Sequence, residues 1–221
     1  MNVEEMMHHV DHTQLKPFAS WADIKQLCEE AITYQTASVC VPLSYVKSIH
    51  DTYGDQINIG TVVGFPLGYS NTAGKLAETK QALADGANEI DMVINIGAVK
   101  NGELDKVAAE IAAVKEVVGS RILKVIIETC YLMEEEKISL CQVVTRAGAD
   151  YIKTSTGFGT SGATLSDIEL FKKHIGAGVK IKAAGGVKSL SDLEQFIAAG
   201  CERIGTSSAV AFIKNQKSDG Y

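Results

Sequence analysis

Gly148-Ala149-Asp150-Tyr151-Ile152-Lys153-Thr154-Ser155-Thr156-Gly157 reads as a helix-capping glycine, a short apolar strand, and a loop of small hydroxylated residues. The same grammar recurs upstream in Gly86-Ala87-Asn88-Glu89-Ile90-Asp91. It recurs downstream in Gly200-Cys201-Glu202-Arg203-Ile204-Gly205. In each copy a special residue (Asp91, Lys153 or Gly205) stands five positions after the glycine. Similar loops feeding similar strands place these residues at comparable heights in one sheet. Working outward, strand-like runs fall at about 8–13, 37–42, 57–64, 89–95, 122–129, 150–155, 179–184 and 203–206, each apolar enough for burial on both faces.

Amphipathic helices fill the intervals. Trp21, Ile24, Leu27, Cys28, Ala31 and Ile32 form one stripe, and Leu104, Val107, Ala108, Ile111, Val114 and Val118 another. Ser20 with Asp23, and Ser166 with Glu169, have the spacing of capping boxes. Gly54, Gly86, Gly119, Gly148 and Gly200 stand where C-terminal caps belong. Eight strand–helix units without a linker or composition break predict one (β/α)8 TIM barrel over 1–221, with a short N-terminal helix and a flexible tail at about 215–221. A doubly wound sheet is the alternative, but no glycine-rich first turn marks one.

The 221 residues are 46% hydrophobic, enough for a large core, and carry a net charge of −6. No basic stretch suggests nucleic acid or an acidic membrane as partner. No run approaches the ~18 apolar residues of a membrane span. The acidic start, Met1-Asn2-Val3-Glu4-Glu5, lacks a signal core, so the cytoplasm is expected. Five irregularly spaced cysteines, Cys28, Cys40, Cys130, Cys141 and Cys201, read as reduced thiols. Cys40 ends the second strand and is either a small core residue or a target for reactive aldehydes.

Lys153 and Lys182 interrupt apolar strands, where lysine is rare. Two ammonium groups roughly 5 Å apart repel by about 3 kcal/mol at an effective dielectric near 20. That corresponds to about 2 pKa units, before desolvation adds its share. A lysine so depressed is an amine nucleophile, and its usual chemistry is a Schiff base with a carbonyl. The bland reading of Lys153 is a side chain snorkelling out of a strand end. Lys182 is the candidate partner, or else half of an ion pair with Asp91. Lys124 is also in a strand, but alternation can turn it toward the helices, and it is read as structural. Asp91 is a carboxylate placed for proton transfer. Asp11 stands at a strand end, as a second site carboxylate in contact with substrate or as a turn or cap.

Gly185-Gly186 and Gly205-Thr206-Ser207-Ser208 follow the seventh and eighth strands. Backbone amides at such loops bind phosphate without net positive charge, and this loop pair is the recurring phosphate site of barrels. Thr156, with the loop around it, suits a polyhydroxy ligand. His8, His9 and His12 cluster without companion ligands at metal-site spacing, so no metal is expected. Tyr221 ends a polar tail, which is either a disordered end or a mobile arm that carries a phenol to the site.

These motifs resemble the bacterial deoxyribose-phosphate aldolases along nearly the whole chain. The resemblance is carried by Val10-Asp11-His12-Thr13, Glu89-Ile90-Asp91-Met92-Val93, Lys124-Val125-Ile126-Ile127-Glu128-Thr129, Tyr151-Ile152-Lys153-Thr154-Ser155-Thr156-Gly157, Lys180-Ile181-Lys182-Ala183-Ala184-Gly185-Gly186 and Arg203-Ile204-Gly205-Thr206-Ser207-Ser208. It implies a class I aldolase, without cofactor, that cleaves 2-deoxy-D-ribose 5-phosphate to D-glyceraldehyde 3-phosphate and acetaldehyde, and a homodimer. It implies Lys153 as Schiff-base lysine, Lys182 as the lysine that tunes it, Asp91 as proton-transfer group and Tyr221 as an aid to it. Gly186, Gly205, Ser207 and Ser208 match the phosphate loops. Some members carry lysine where this chain has Phe158, which implies a weaker dependence on the substrate phosphate. A barrel isomerase or synthase using carboxylates, and a non-catalytic sugar-phosphate sensor, are the competing classes.

Overall fold

The computed structural model describes residues 1–214. They form a closed parallel barrel whose strands follow one another in chain order. The strands are β1 (Val10–Thr13), β2 (Ser38–Val41), β3 (Ile59–Val63), β4 (Glu89–Val93), β5 (Ile122–Ile126), β6 (Tyr151–Lys153), β7 (Lys180–Ala184) and β8 (Arg203–Thr206). The helices are α1 (Val3–Met7), α2 (Trp21–Tyr34), α3 (Leu43–Tyr53), α4 (Thr72–Ala84), α5 (Ile96–Lys100), α6 (Leu104–Val118), α7 (Glu134–Arg146), α8 (Leu165–His174), α9 (Leu190–Ala199) and α10 (Ala209–Ile213). The eight-strand (β/α)8 expectation therefore holds, and the doubly wound alternative is excluded by closure of β1 on β8. No helix among the described residues is long and apolar enough to cross a membrane.

Helix limits follow local chemistry. Ser20 caps α2 through a box with Asp23, as its spacing predicts. The box expected at Ser166 and Glu169 is corrected: α8 starts two residues earlier, with Thr164 as cap and Asp167 as its partner. Two hydroxyls at the same helix start left the spacing rule ambiguous, and Thr164 is the one whose oxygen reaches an unpaired amide. The five predicted cap glycines all have positive φ, a region open to glycine at little cost. Observed strands are shorter than the apolar runs. Ile57 and Ile127, for example, are buried beside the sheet but outside the ladders.

The apolar core is the sleeve between barrel and helices. Val10, Val39, Ile59, Ile90, Met92, Val125, Ile152, Ile181 and Ile204 point outward into it, against Ile24, Ile49, Ile111, Phe171 and Leu193 of the helices. Residues at the alternate positions point into the barrel. There the sequence places charge: Asp11, Glu89, Asp91, Lys124, Lys153, Lys182 and Arg203. The interior also holds a small apolar group of Cys40 and Val62 with Leu15 from the loop above β1, with Phe65 packed against it.

Candidate active site

Cross-strand register assembles the charged interior. Asp91 pairs with Lys124, Lys153 with Lys182, and Lys182 with Arg203. Lys124 stands two residues before Ile126, the register partner of Lys153, so Lys124 and Lys153 share a face. Lys124 therefore points into the barrel, fully buried, which corrects the structural, helix-facing assignment made from the sequence. Strand parity cannot be assigned without a partner strand, and that is why the sequence misled here.

Asp91 is the hub. Its Oδ1 accepts a hydrogen bond from Lys124 Nζ at 2.9 Å. Its Oδ2 accepts from Lys153 and from Lys182, each at 2.7 Å. Two ammonium nitrogens bound to one oxygen cannot be further apart than twice that distance. The lysine pair thus meets the proximity its sequence reading required. Lys182 also donates to Asp11 at 2.5 Å. Lys124 donates to Glu89 as well, and Arg203 bridges Asp11 at 2.5 Å and Glu89 at 2.9 and 3.0 Å.

Counted by charge, the cluster has four cations and three carboxylates, so one cation is in excess. The allocation of carboxylates decides which. Lys182 faces Asp11 and Asp91, which outweigh its burial and raise its pKa. Lys124 is likewise buried, yet Asp91, Asp11 and Glu89 hold it well above the ordinary lysine value. Lys153 has Asp91 alone, shared with two rivals. Burial pushes its pKa down, Asp91 opposes, and Lys182 adds repulsion, with a net lowering. The leading cause is therefore desolvation rather than the lysine–lysine repulsion emphasised by the sequence. Asp91 itself is held well below the carboxylate range, because three lysines overcome the penalty of burial.

Lys153 also has access. It lines a cavity of about 300 Å³ at the carboxyl ends of the strands, with Thr156, Gly185, Gly186, Gly205, Ser207 and Ser208. Gly185 and Gly186 have φ of 73° and 77°, which turns this loop tightly under the cavity. Gly205 has a second use: a Cβ there would lie 3.2 Å from Lys182 Cε, so glycine leaves that lysine room. Helix α10 starts after Ser208 but is only five residues long. The amide of Ser208 is already donated to Thr206, so the anion-binding capacity rests mostly on the loops. A second cavity of about 350 Å³, on the far side of Leu15, is walled by Val62, Phe65 and Tyr45 and has none of the buried charge cluster.

Asp11 is a correction. Expected against substrate, it is fully buried and surrounded by Lys182, Arg203 and Ser38, below the cavity. The N-terminal histidines diverge: His8 lies against the Gln35 carbonyl, His9 against that of Glu202, and His12 against Glu30. Tyr221, and the tail expected over 215–221, lie outside the described residues. Sequence reasoning missed Glu89 and Arg203, although each carries the signal that flagged the lysines, a charge in an apolar strand. It also missed Lys188, an exposed cation at the cavity two residues beyond Gly186.

Comparison with known proteins agrees with this geometry. The DeoC/LacD family aldolase pattern matches residues 5–209. A protein named deoxyribose-phosphate aldolase from Clostridium botulinum (strain Alaska E43 / Type E3) is 69% identical over the full length of both chains. One of the same name from Clostridioides difficile (strain 630) is 54% identical, covering 99% of this chain and 100% of that one. Among solved structures, the deoxyribose phosphate aldolase of Aeropyrum pernix, described as tetrameric, superposes with a TM-score of 0.90 at 29% identity, over 97% of this chain and 92% of its own. An aldolase designated QR15 superposes with a TM-score of 0.91 at 36% identity, over 96% and 95% of the two chains. With its barrel, its buried lysine cluster and these likenesses, the chain belongs to the DeoC/LacD aldolase family.

Proposed function

We propose that the chain reversibly cleaves 2-deoxy-D-ribose 5-phosphate to D-glyceraldehyde 3-phosphate and acetaldehyde through a Schiff base on Lys153. The observation that carries this is the carboxylate allocation: Lys153 is the least supported cation of the cluster and opens to the cavity. Its neutral amine attacks the substrate aldehyde carbon. The carbinolamine loses water to a protonated imine, which draws the electrons of the breaking carbon–carbon bond. Proton loss from the hydroxyl on the departing carbon releases D-glyceraldehyde 3-phosphate and leaves an enamine on Lys153. Protonation of its terminal carbon restores an imine, which water hydrolyses to acetaldehyde and the free lysine. Asp91, so firmly ionised, is a weak base by itself. Its part is a fixed negative charge beside the iminium and, through a water that Lys182 orients, the transient acceptor of the hydroxyl proton, which then returns to the enamine carbon. The loops at Gly185-Gly186 and Gly205–Ser208, with Lys188, hold the phosphate.

The same reading takes residues 1–221 as one barrel domain, acting in the cytoplasm as a homodimer. Five free thiols are what a reducing compartment maintains. Sedimentation at micromolar concentration separates dimer from tetramer.

Incubation with acetaldehyde and borohydride, followed by peptide mapping, tests the chemistry. An adduct at Lys153 is expected. An isomerase or a sensor would show no preferential adduct at Lys153 over the exposed lysines, and that result refutes the proposal.

Phe158 bears on the substrate. Its ring packs edge-on against Phe65, with centroids 5.4 Å apart, rather than offering a cation. Phe158→Lys is expected to raise the preference for phosphorylated over unphosphorylated deoxyribose by about tenfold in kcat/KM, the worth of one charge-assisted contact. A wild-type preference already as strong as that of the variant would count against this role.

A further inference from the structure

Glu128 is a buried carboxylate that the chemistry above does not use. It follows β5 with φ 55° and ψ 68°, a left-handed conformation unusual for a residue with a long side chain. Two backbone hydrogen bonds to the end of β6 and the residue after it pin it there: the Ile127 amide to the Lys153 carbonyl at 3.1 Å, and the Thr129 amide to the Thr154 carbonyl at 2.9 Å. The side chain is 2% exposed and turned onto Thr156. Its Oε1 accepts the Thr156 amide at 3.1 Å, and its Oε2 accepts the Thr156 hydroxyl. Gly159 closes over it, where a Cβ would lie 3.1 Å from Glu128 Cδ and 2.7 Å from Cys130 Sγ.

The consequence lies in the hydrogen inventory of one hydroxyl. Threonine has one hydrogen to donate and two lone pairs to accept with. The Thr156 hydrogen is committed to Glu128, and one lone pair is taken by the Phe158 amide at 3.0 Å. What Thr156 still offers to the cavity is a single lone pair. It can receive a hydrogen and cannot give one. Phosphate and carbonyl oxygens, which need donors, are therefore not its partners. A substrate hydroxyl is.

We propose that Glu128 is a positioning residue that makes Thr156 an obligate hydrogen-bond acceptor, so that the site selects aldehydes bearing a hydroxyl beside the carbonyl. The inference rests on the aldolase reading and assigns Thr156 to the hydroxylated carbon of the acceptor instead of the phosphate. Burial lifts the Glu128 carboxyl above its ordinary range, and the two Thr156 donors oppose that lift.

The test is acceptor selectivity in the synthetic direction. Acetaldehyde is added either to D-glyceraldehyde 3-phosphate or to 3-oxopropyl phosphate, which has the same length and phosphate but no hydroxyl. Wild type is expected to favour the first by about tenfold or more in kcat/KM. In Glu128→Gln the amide donates to Thr156, which frees its hydrogen and turns the acceptor into a donor. The preference should then fall at least about fivefold, Thr156→Val should show the same fall, and the double variant no more than either. Borohydride trapping of acetaldehyde, which has no hydroxyl, should persist at Lys153 in Glu128→Gln. Preference retained in Glu128→Gln, or trapping lost there, overturns the role assigned to Glu128. A wild type that adds acetaldehyde to neither acceptor refutes the aldolase reading itself.

Discussion

Replacing Lys153 with leucine is expected to lower kcat by about 10⁴-fold or more and to abolish borohydride trapping, while leaving thermal stability unchanged or improved. The loss of rate follows from removing the covalent step, for which no neighbouring lysine substitutes. Lys124 and Lys182 are close by, but their carboxylates keep them charged. The stability expectation has the opposite sign to intuition about a buried ion pair. Without Lys153 the cluster holds three cations against three carboxylates. Asp91 keeps a hydrogen bond to each oxygen, from Lys124 and from Lys182. An apolar side chain also removes the desolvation penalty that lowers the Lys153 pKa. Single-turnover assays and a thermal melt in parallel check both halves. A melting temperature several degrees lower would show that Lys153 is a structural cation after all.

Asp91→Asn is expected to damage both properties. The amide cannot accept from three ammonium groups, and its NH₂ must face at least one of them. Breaking a buried pair from one side costs about 3–5 kcal/mol. At this chain length that lowers the melting temperature by roughly 10 °C. Turnover should fall by about 10²–10³-fold, because the iminium loses its counter-charge. The pH dependence identifies the cause. The Asp91 pKa is depressed in the folded state, so its contribution to stability is complete above the unfolded carboxylate value, about 3.9. That contribution is lost as pH falls toward the folded value. Urea titrations of wild type and Asp91→Asn should therefore differ most at neutral pH and converge below about pH 4. A gap that stays constant with pH would place the damage in packing rather than charge.

Lysine and aspartate inside Val/Ile-rich strands were legible as anomalies because a strand eight residues long or less has nowhere to hide a charge, and Glu89 and Arg203 carried the same signal unread. Cap glycines were legible because positive φ is a local property. Thr164 was missed for a local reason too, since Ser166 offers the same chemistry two residues later. Lys124 and Asp11 were misplaced for a different reason. Which face a strand residue takes, and how deep it sits, depends on partners 27 to 192 residues away in the chain. Glu128 was quoted only as part of a motif. Its grip on Thr156 requires two loops to meet, and no spacing rule describes that.

The chain by itself determined the eight strand–helix units, the closure into a barrel they favour, and the short list of charged residues from which a nucleophile must come. Those are matters of periodicity and of residue type, and both are written in order along the backbone. The tertiary structure alone decided which lysine has the least carboxylate support and a lowered pKa. A pKa sums burial and charge over a few ångströms, and here that sphere draws on β1, β4, β5, β6, β7 and β8 together. Lys124, Lys153 and Lys182 look alike as letters in apolar strands. They differ because barrel register supplies Lys182 with two carboxylates, Lys124 with three, and Lys153 with a share of one.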